Sequence, residues 1–254
     1  MVELAERGYF LLCLAAGWLL RSARYSKARI VSQDGEPQVR KYRSFYAPLL
    51  VWIGNPLLRI MNTGVRVLPQ REWEERERRV WSVRGASIRI DADGTLVLPW
   101  LAGERLATLL EDPALEESAR KAAIERAVIA LAEFHHLGFT HGDAMAENVL
   151  IDAGAAHWFD FETVHDSSRP MAWRHADDVR ALLVTCLVRT SNERLAETLQ
   201  FILDVYADLG VTRLLATSFT SALRRPLTFH LAQAGVSFQC FREIARLLRE
   251  RLGE

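Results

Sequence analysis

His141-Gly142-Asp143-Ala144-Met145-Ala146-Glu147-Asn148, followed by Asp160-Phe161-Glu162, is the stretch that decides how this chain reads. Asp143 and Asn148 stand five residues apart and can share one tight loop, while Asp160 arrives at the next strand turn. Transfer of a phosphoryl group from a nucleotide needs such a set: one carboxylate facing a hydroxyl, and an amide plus a second carboxylate holding magnesium. Asp143 is the candidate base, with the main task of orienting the acceptor hydroxyl. Asn148 and Asp160 are the candidate magnesium ligands, since both offer hard oxygens that phosphates and water can complete to an octahedron. His141 is read as a buttress of the loop rather than a reacting group. Asp and Asn also cap ordinary turns. A strand, a turn, a second strand and then Asp-Phe behind the loop set this stretch apart from such a turn.

The chain has 254 residues, enough for one large domain or two small lobes sharing a cleft. Half of them are hydrophobic, so a sizeable core can form. Lys+Arg and Asp+Glu both number 32, and no global field draws nucleic acid. Cys13, Cys186 and Cys240 are far apart, which argues against a disulfide framework or zinc site and favours a reducing compartment. Tyr9 to Leu20 is apolar on every side, but it is too short to span a bilayer comfortably. Glu3 and Glu6 precede it, unlike a secretory signal, and Arg21, Arg24, Lys27 and Arg29 follow. Two readings stay open: a helix packed on the domain, or peripheral contact with the cytoplasmic face of a membrane.

Further along, Ala28–Val31 and Pro37–Tyr42 read as a hairpin turning at Asp34-Gly35. Residues 44–70 are unusually apolar for a connection and are interrupted by Pro and Gly. Short helices are expected there, covering a groove or touching lipid. Arg71–Trp81 is a charged helix, and Ser87–Asp91 with Thr95–Trp100 is a second hairpin turning at Asp93-Gly94. Glu116–His136 carries Ile124, Ala127, Val128, Leu131 and Phe134 on one face, and Gly138 ends it. Val149–Ile151 and His157–Phe159 are short apolar strands. Val179, Leu182, Leu183, Cys186 and Leu187 form a buried helix face, and two or three more helices follow with a break at Arg225-Pro226. The expected class is α+β: an apolar helix over 1–25, a small strand-rich lobe over 26–100, and a larger helical lobe over 101–254.

Lys41 is the candidate phosphate-gripping lysine, with Arg40 as its rival. Val39 lies on the same strand face as Lys41 and could wall an adenine pocket. The expected partner of Lys41 is Glu72, early in a helix that also holds Glu74, Glu75 and Glu77. Gly35 stands in the first hairpin without a G-x-G-x-x-G, so a phosphate-covering loop would be atypical. Pro99, Trp100 and Leu101 read as a hinge whose backbone groups pair with adenine. Trp100 reads equally as a core aromatic.

These motifs resemble the protein-kinase-like superfamily and, within it, the lipopolysaccharide core kinases of heptose and 3-deoxy-octulosonate. The likeness spans roughly residues 28–190 and is strongest over 141–162. Val39-Arg40-Lys41-Tyr42 and Leu68-Pro69-Gln70-Arg71-Glu72-Trp73 add to it. It implies a bilobal fold, ATP and magnesium as cofactors, and a sugar or glycolipid acceptor at the cytoplasmic membrane face. Residues 9–20 and 44–70 would make the membrane contact. It also implies that Asp178, with Asp177 as the alternative, is the buried aspartate that accepts backbone N–H bonds from the catalytic loop. Gly142 replaces the arginine of regulated protein kinases, Met145 a lysine, and Glu162 the glycine after Asp-Phe. No A-P-E motif follows, so a platform for a peptide substrate is absent. RIO-type atypical protein kinases and aminoglycoside or choline phosphotransferases share the core motifs. A catalytically silent scaffold is a further alternative, motivated by the missing glycine-rich loop.

Overall fold

The computed structural model describes residues 25–33, 35–60, 62–219, 234 and 236–253. The apolar run Tyr9–Leu20 and the break at Arg225-Pro226 lie outside the described residues. Strands β1 (Ser26–Gln33) and β2 (Glu36–Arg43) form an antiparallel hairpin, with Ser26 opposite Arg43 and Gln33 opposite Glu36. Gly35 closes it at φ 84°, the left-handed conformation that a tight hairpin turn demands. Strands β4 (Arg89–Ile90) and β5 (Leu96–Pro99) complete a sheet of order β1-β2-β5-β4. Val39 pairs with Leu98 and Lys41 with Leu96, so β2 is central and its register is fixed from both sides.

Residues 44–70 differ from expectation. They hold one helix, α1 (Ala47–Ile60), and a short strand, β3 (Val65–Val67), rather than several short helices. Pro48 sits in the first turn, where its missing N–H costs nothing, whereas Pro56 deletes one bond inside the helix. Burial outweighs that loss: Val51 and Leu58 pack with Val65 and Val67. Asn55 also grips β3, donating to the Val67 carbonyl at 2.9 Å and accepting from the Val67 N–H at 2.8 Å.

Helix α2 (Gln70–Val83) turns Trp73, Glu77, Val80 and Trp81 inward, a spacing that puts all four on one side. Trp73 and Trp81 join Leu68, Leu96 and Leu98 in the core of the strand-rich part.

The remainder is a larger, mainly helical part: α3 (Leu106–Glu111), α4 (Glu117–His136), α5 (Met171–Leu187), α6 (Leu195–Tyr206), α7 (Leu209–Ser218) and α8 (Phe238–Leu252). α5 is buried on all sides from Ala176 to Leu187, beyond the single apolar face its sequence suggests. Two small strand groups accompany the helices, and the second joins the two parts. Strand β6 (Glu104–Arg105) pairs with β7 (Val149–Ile151), which pairs with β8 (Ala156–Trp158). Strand β9 (Thr163–His165) pairs with β3, so the segment leaving Asp160 is tied back to the strand under α1.

Candidate active site

The loop His141–Asn148 is held from below by α5. Asp178 Oδ2 accepts from the His141 N–H at 2.6 Å, and Oδ1 from the Gly142 N–H at 2.8 Å. His135 Nε2 on α4 lies 3.0 Å from the same carboxylate. Burial alone would push the Asp178 carboxyl up, but neighbouring His165 and His135 and their bonds hold it well below the usual carboxylate range. Asp177 points elsewhere, to His165 Nε2 at 3.0 Å and to Arg180.

Gly142 has φ 83°, and a Cβ there would stand 2.9 Å from the Thr163 carbonyl oxygen, so the loop requires glycine twice over. His141 Nε2 lies 2.9 Å from the Phe159 carbonyl, which can only accept. Nε2 therefore carries the proton, and Nδ1 accepts from the Asp143 N–H at 3.3 Å. Burial drives the His141 pKa down to about 4, so at neutral pH it is an uncharged strut.

The Asn148 side-chain nitrogen donates to the Asp143 carbonyl at 2.8 Å and to Asp143 Oδ2 at 3.1 Å. This leaves the Asn148 carbonyl oxygen as the lone-pair donor that a cation would use. The Phe159 N–H donates to the Asn148 backbone carbonyl at 3.0 Å, which ties the loop to the residue before Asp160. Asp160 itself has φ 69°, a conformation that a non-glycine residue holds at a cost and that concentrates at functional sites. Asp143 is pushed up to about 8, by burial first and then by the Asp160 charge. A cation beside it would reverse that shift.

Lys41 Nζ lies 2.5 Å from Asp160 Oδ1, 3.5 Å from Glu77 Oε1 and 3.9 Å from Glu162 Oε1. Burial would lower the Lys41 pKa, but these three carboxylates raise it, and for Asp160 the Lys41 charge overcomes burial and lowers the pKa. The partner on α2 is Glu77, and the expectation of Glu72 is corrected. Glu72 lies in the first turn on the outer face and pairs with Arg66 at 2.7 Å. Glu77 lies on the inner face, where the indole N–H groups of Trp73 and Trp81 each donate to it at 3.1 Å. An inward glutamate with a tryptophan four residues to each side was the signal in the sequence that could have picked it out. Arg40, the rival of Lys41, points to Asp91 instead.

Glu162 was legible only as a departure from a glycine. It accepts from Ser26 Oγ at 2.7 Å and lies 3.8 Å from Arg43, while burial and then Asp160 push its pKa to about 7.

Above Lys41 and Asp160 opens a cleft of about 440 Å³, walled by Val39, Leu98, Pro99, Trp100, Leu101 and Phe159. Trp100 is 42% exposed, so it is a rim residue and not a core aromatic. Leu150, Arg105 and Phe159 also line the cleft, and sequence reasoning gave them no role. Among the described residues no group of three or more His, Cys, Asp or Glu side chains could by itself hold a metal. Asn148 and Asp160 fit magnesium in the way it is commonly bound, by few protein oxygens together with substrate phosphates.

No protein-family model matches this chain, and no curated protein matches it. Among solved structures it is similar to the crystal structure of Rad53 1–466 in complex with AMP-PNP, with a TM-score of 0.36 and 14% identity over 89% of this chain. The match spans 57% of that chain.

Proposed function

We propose that this chain is an ATP- and magnesium-dependent phosphotransferase with a bilobal, protein-kinase-like fold, its strand-rich part over 26–100 and its helical part over 101–254 forming the lobes. The observation that carries the reading is the Lys41–Asp160 pair, 2.5 Å apart under an apolar cleft and next to the loop of Asp143 and Asn148. Val39 and Leu98 would cover adenine, and backbone groups of Pro99–Leu101 would read its edge. Lys41 would grip the phosphates, with Glu77 holding it in place. Asn148 and Asp160 would hold magnesium, which supplies charge neutralisation as the phosphoryl group departs. Asp143 would orient the acceptor hydroxyl, on a loop kept in place by His141 and Asp178.

A sugar or glycolipid hydroxyl at the cytoplasmic membrane face is the acceptor we propose. The motif resemblance supports it, and so does the short path after the site. β9 follows Asp160 at once, and α5 begins at Met171, which leaves little chain for a peptide platform. The test is phosphate transfer from labelled ATP, with and without magnesium, to the lipid and protein fractions of a cell, resolved by mass spectrometry. Transfer to lipid that is abolished by Asp143→Ala is expected. Transfer to polypeptide alone would replace the acceptor with a protein substrate. Bound Mg-ATP at a hundred times its dissociation constant adds about 2.7 kcal/mol of stability, so the absence of any thermal shift up to millimolar Mg-ATP would favour a scaffold.

A further inference from the structure

Apart from Asn55 and Arg59, helix α1 is apolar on its outward side as well as its inward one, whereas a helix at the surface of a globular domain normally keeps one polar face. Ala47, Val51, Gly54 and Leu58 face inward. Leu49, Trp52, Ile53 and Ile60 project from the opposite side and are exposed, Trp52 at 74% and Ile60 at 83%. Phe45, just before the helix, is fully exposed. Seven exposed apolar side chains within residues 45–60 exceed the scattered few that need no explanation.

The charge along this segment is one-sided: residues 44–65 hold Arg59 and no acid. Cations mark the C-terminal end of α1: Arg59, in the last turn, and Arg169, which donates to Asn62. An apolar face bearing Trp, with cations at one end, is the composition of a helix that lies in a membrane interface. At 14 residues α1 is about 21 Å long, and β3 occupies its inner side, so it can lie on a bilayer but not cross one. No helix among the described residues is long and apolar enough to cross a membrane.

We propose that the outward face of α1 is a docking surface for an anionic lipid bilayer. This deepens the functional reading and rests on it only for its purpose. β3 beneath α1 pairs with β9, and the Thr163 carbonyl of β9 packs against Gly142, next to Asp143. A bilayer under α1 would thus be coupled through two strands to the loop that meets the acceptor.

The test is sedimentation of the full chain with vesicles of phosphatidylcholine alone, and with vesicles of phosphatidylcholine and phosphatidylglycerol in equal parts. Binding to the mixed vesicles, weakened by salt, is expected. Trp52→Glu combined with Ile53→Glu should lower it about tenfold or more, while leaving the thermal shift with Mg-ATP unchanged. As a check that needs no charged variant, brominated acyl chains should quench part of the tryptophan emission, and Trp52→Phe should remove that part. The proposal is overturned if the wild type ignores anionic vesicles, or if the double variant binds them as well as the wild type does. It is equally overturned if the wild type self-associates without lipid and the double variant is monomeric, for the face then belongs to a second copy. A wild type that binds vesicles but not Mg-ATP would sink the functional reading and leave this one standing.

Discussion

The Glu77 carboxylate lies 3.5 Å from the Lys41 ammonium, and the indoles of Trp73 and Trp81 pin one oxygen each. All four side chains are buried, so removing Glu77 leaves two indole N–H groups without an acceptor and takes from Lys41 one of its three carboxylates. Glu77→Ala should therefore destabilise the protein by about 2–5 kcal/mol, because two buried N–H donors and part of the Lys41 charge lose their partner. Glu72→Ala, at an exposed pair with Arg66, should stay within about 0.5 kcal/mol of wild type. Urea denaturation of the two variants side by side checks this; equal losses would refute the assignment of Glu77.

Trp73→Phe and Trp81→Phe keep an aromatic ring near each site but delete the N–H. Each should cost about 1–3 kcal/mol, part from the lost bond and part from the smaller ring. Mg-ATP affinity should fall in both, measurable by calorimetric titration, since the loosened Glu77 no longer steadies Lys41.

Asp160→Asn keeps the shape of the side chain and removes its charge. Turnover should drop by about a hundredfold or more. Lys41 should titrate at lower pH, because Asp160 is the largest of the charges that raise its pKa. Single-turnover phosphate transfer measures the first effect, and NMR titration of a labelled lysine the second.

His141 is buried and neutral in the folded protein, with its pKa lowered from 6.5 to about 4. The unfolded chain binds a proton on this residue first as pH falls, so the folded state loses stability on going from pH 7 towards pH 4. Between pH 7 and pH 5 the loss from this side chain should be about 2 kcal/mol. Asp143 and Glu162, whose pKa values are raised, act in the opposite sense, so the check is a difference: the stability of wild type minus that of His141→Gln, from urea denaturation, should fall by about 2 kcal/mol between pH 7 and pH 5.

Gly142→Ala should cost about 2 kcal/mol or more and slow turnover, since the left-handed φ is strained for alanine and the Thr163 backbone stands 2.9 Å from the new Cβ. Gly138 has a similar φ of 79° but nothing within 4 Å, so Gly138→Ala should cost about 1 kcal/mol and leave turnover intact. Denaturation and transfer assays on both variants separate backbone strain from loop displacement.

Much of this was legible because it was local. The hairpins announced themselves through Asp-Gly turns, α4 and α5 through their apolar spacing, and the loop 141–148 through residue types at short range. Pairings distant in sequence were not. Strand β3 has only three residues, and its partner β9 lies about a hundred positions away, so no local pattern marks it. The Pro and Gly that interrupt residues 44–70 predict several short helices, whereas burial against β3 keeps α1 whole. A place early in the helix favours Glu72 over Glu77, but facing direction decides the matter, and the two indoles on the inner side record that direction.

One contact joins the two parts of the molecule in a way that bears on control. Arg76, one residue before Glu77, donates to the Thr140 carbonyl and reaches the His141 carbonyl at 3.5 Å. Swinging α2 outward would break its grip on Lys41 and pull on the 141–148 loop in the same movement. Such linkage favours a machine that is always assembled, its output governed by which molecules reach the cleft and not by rearranging the cleft itself.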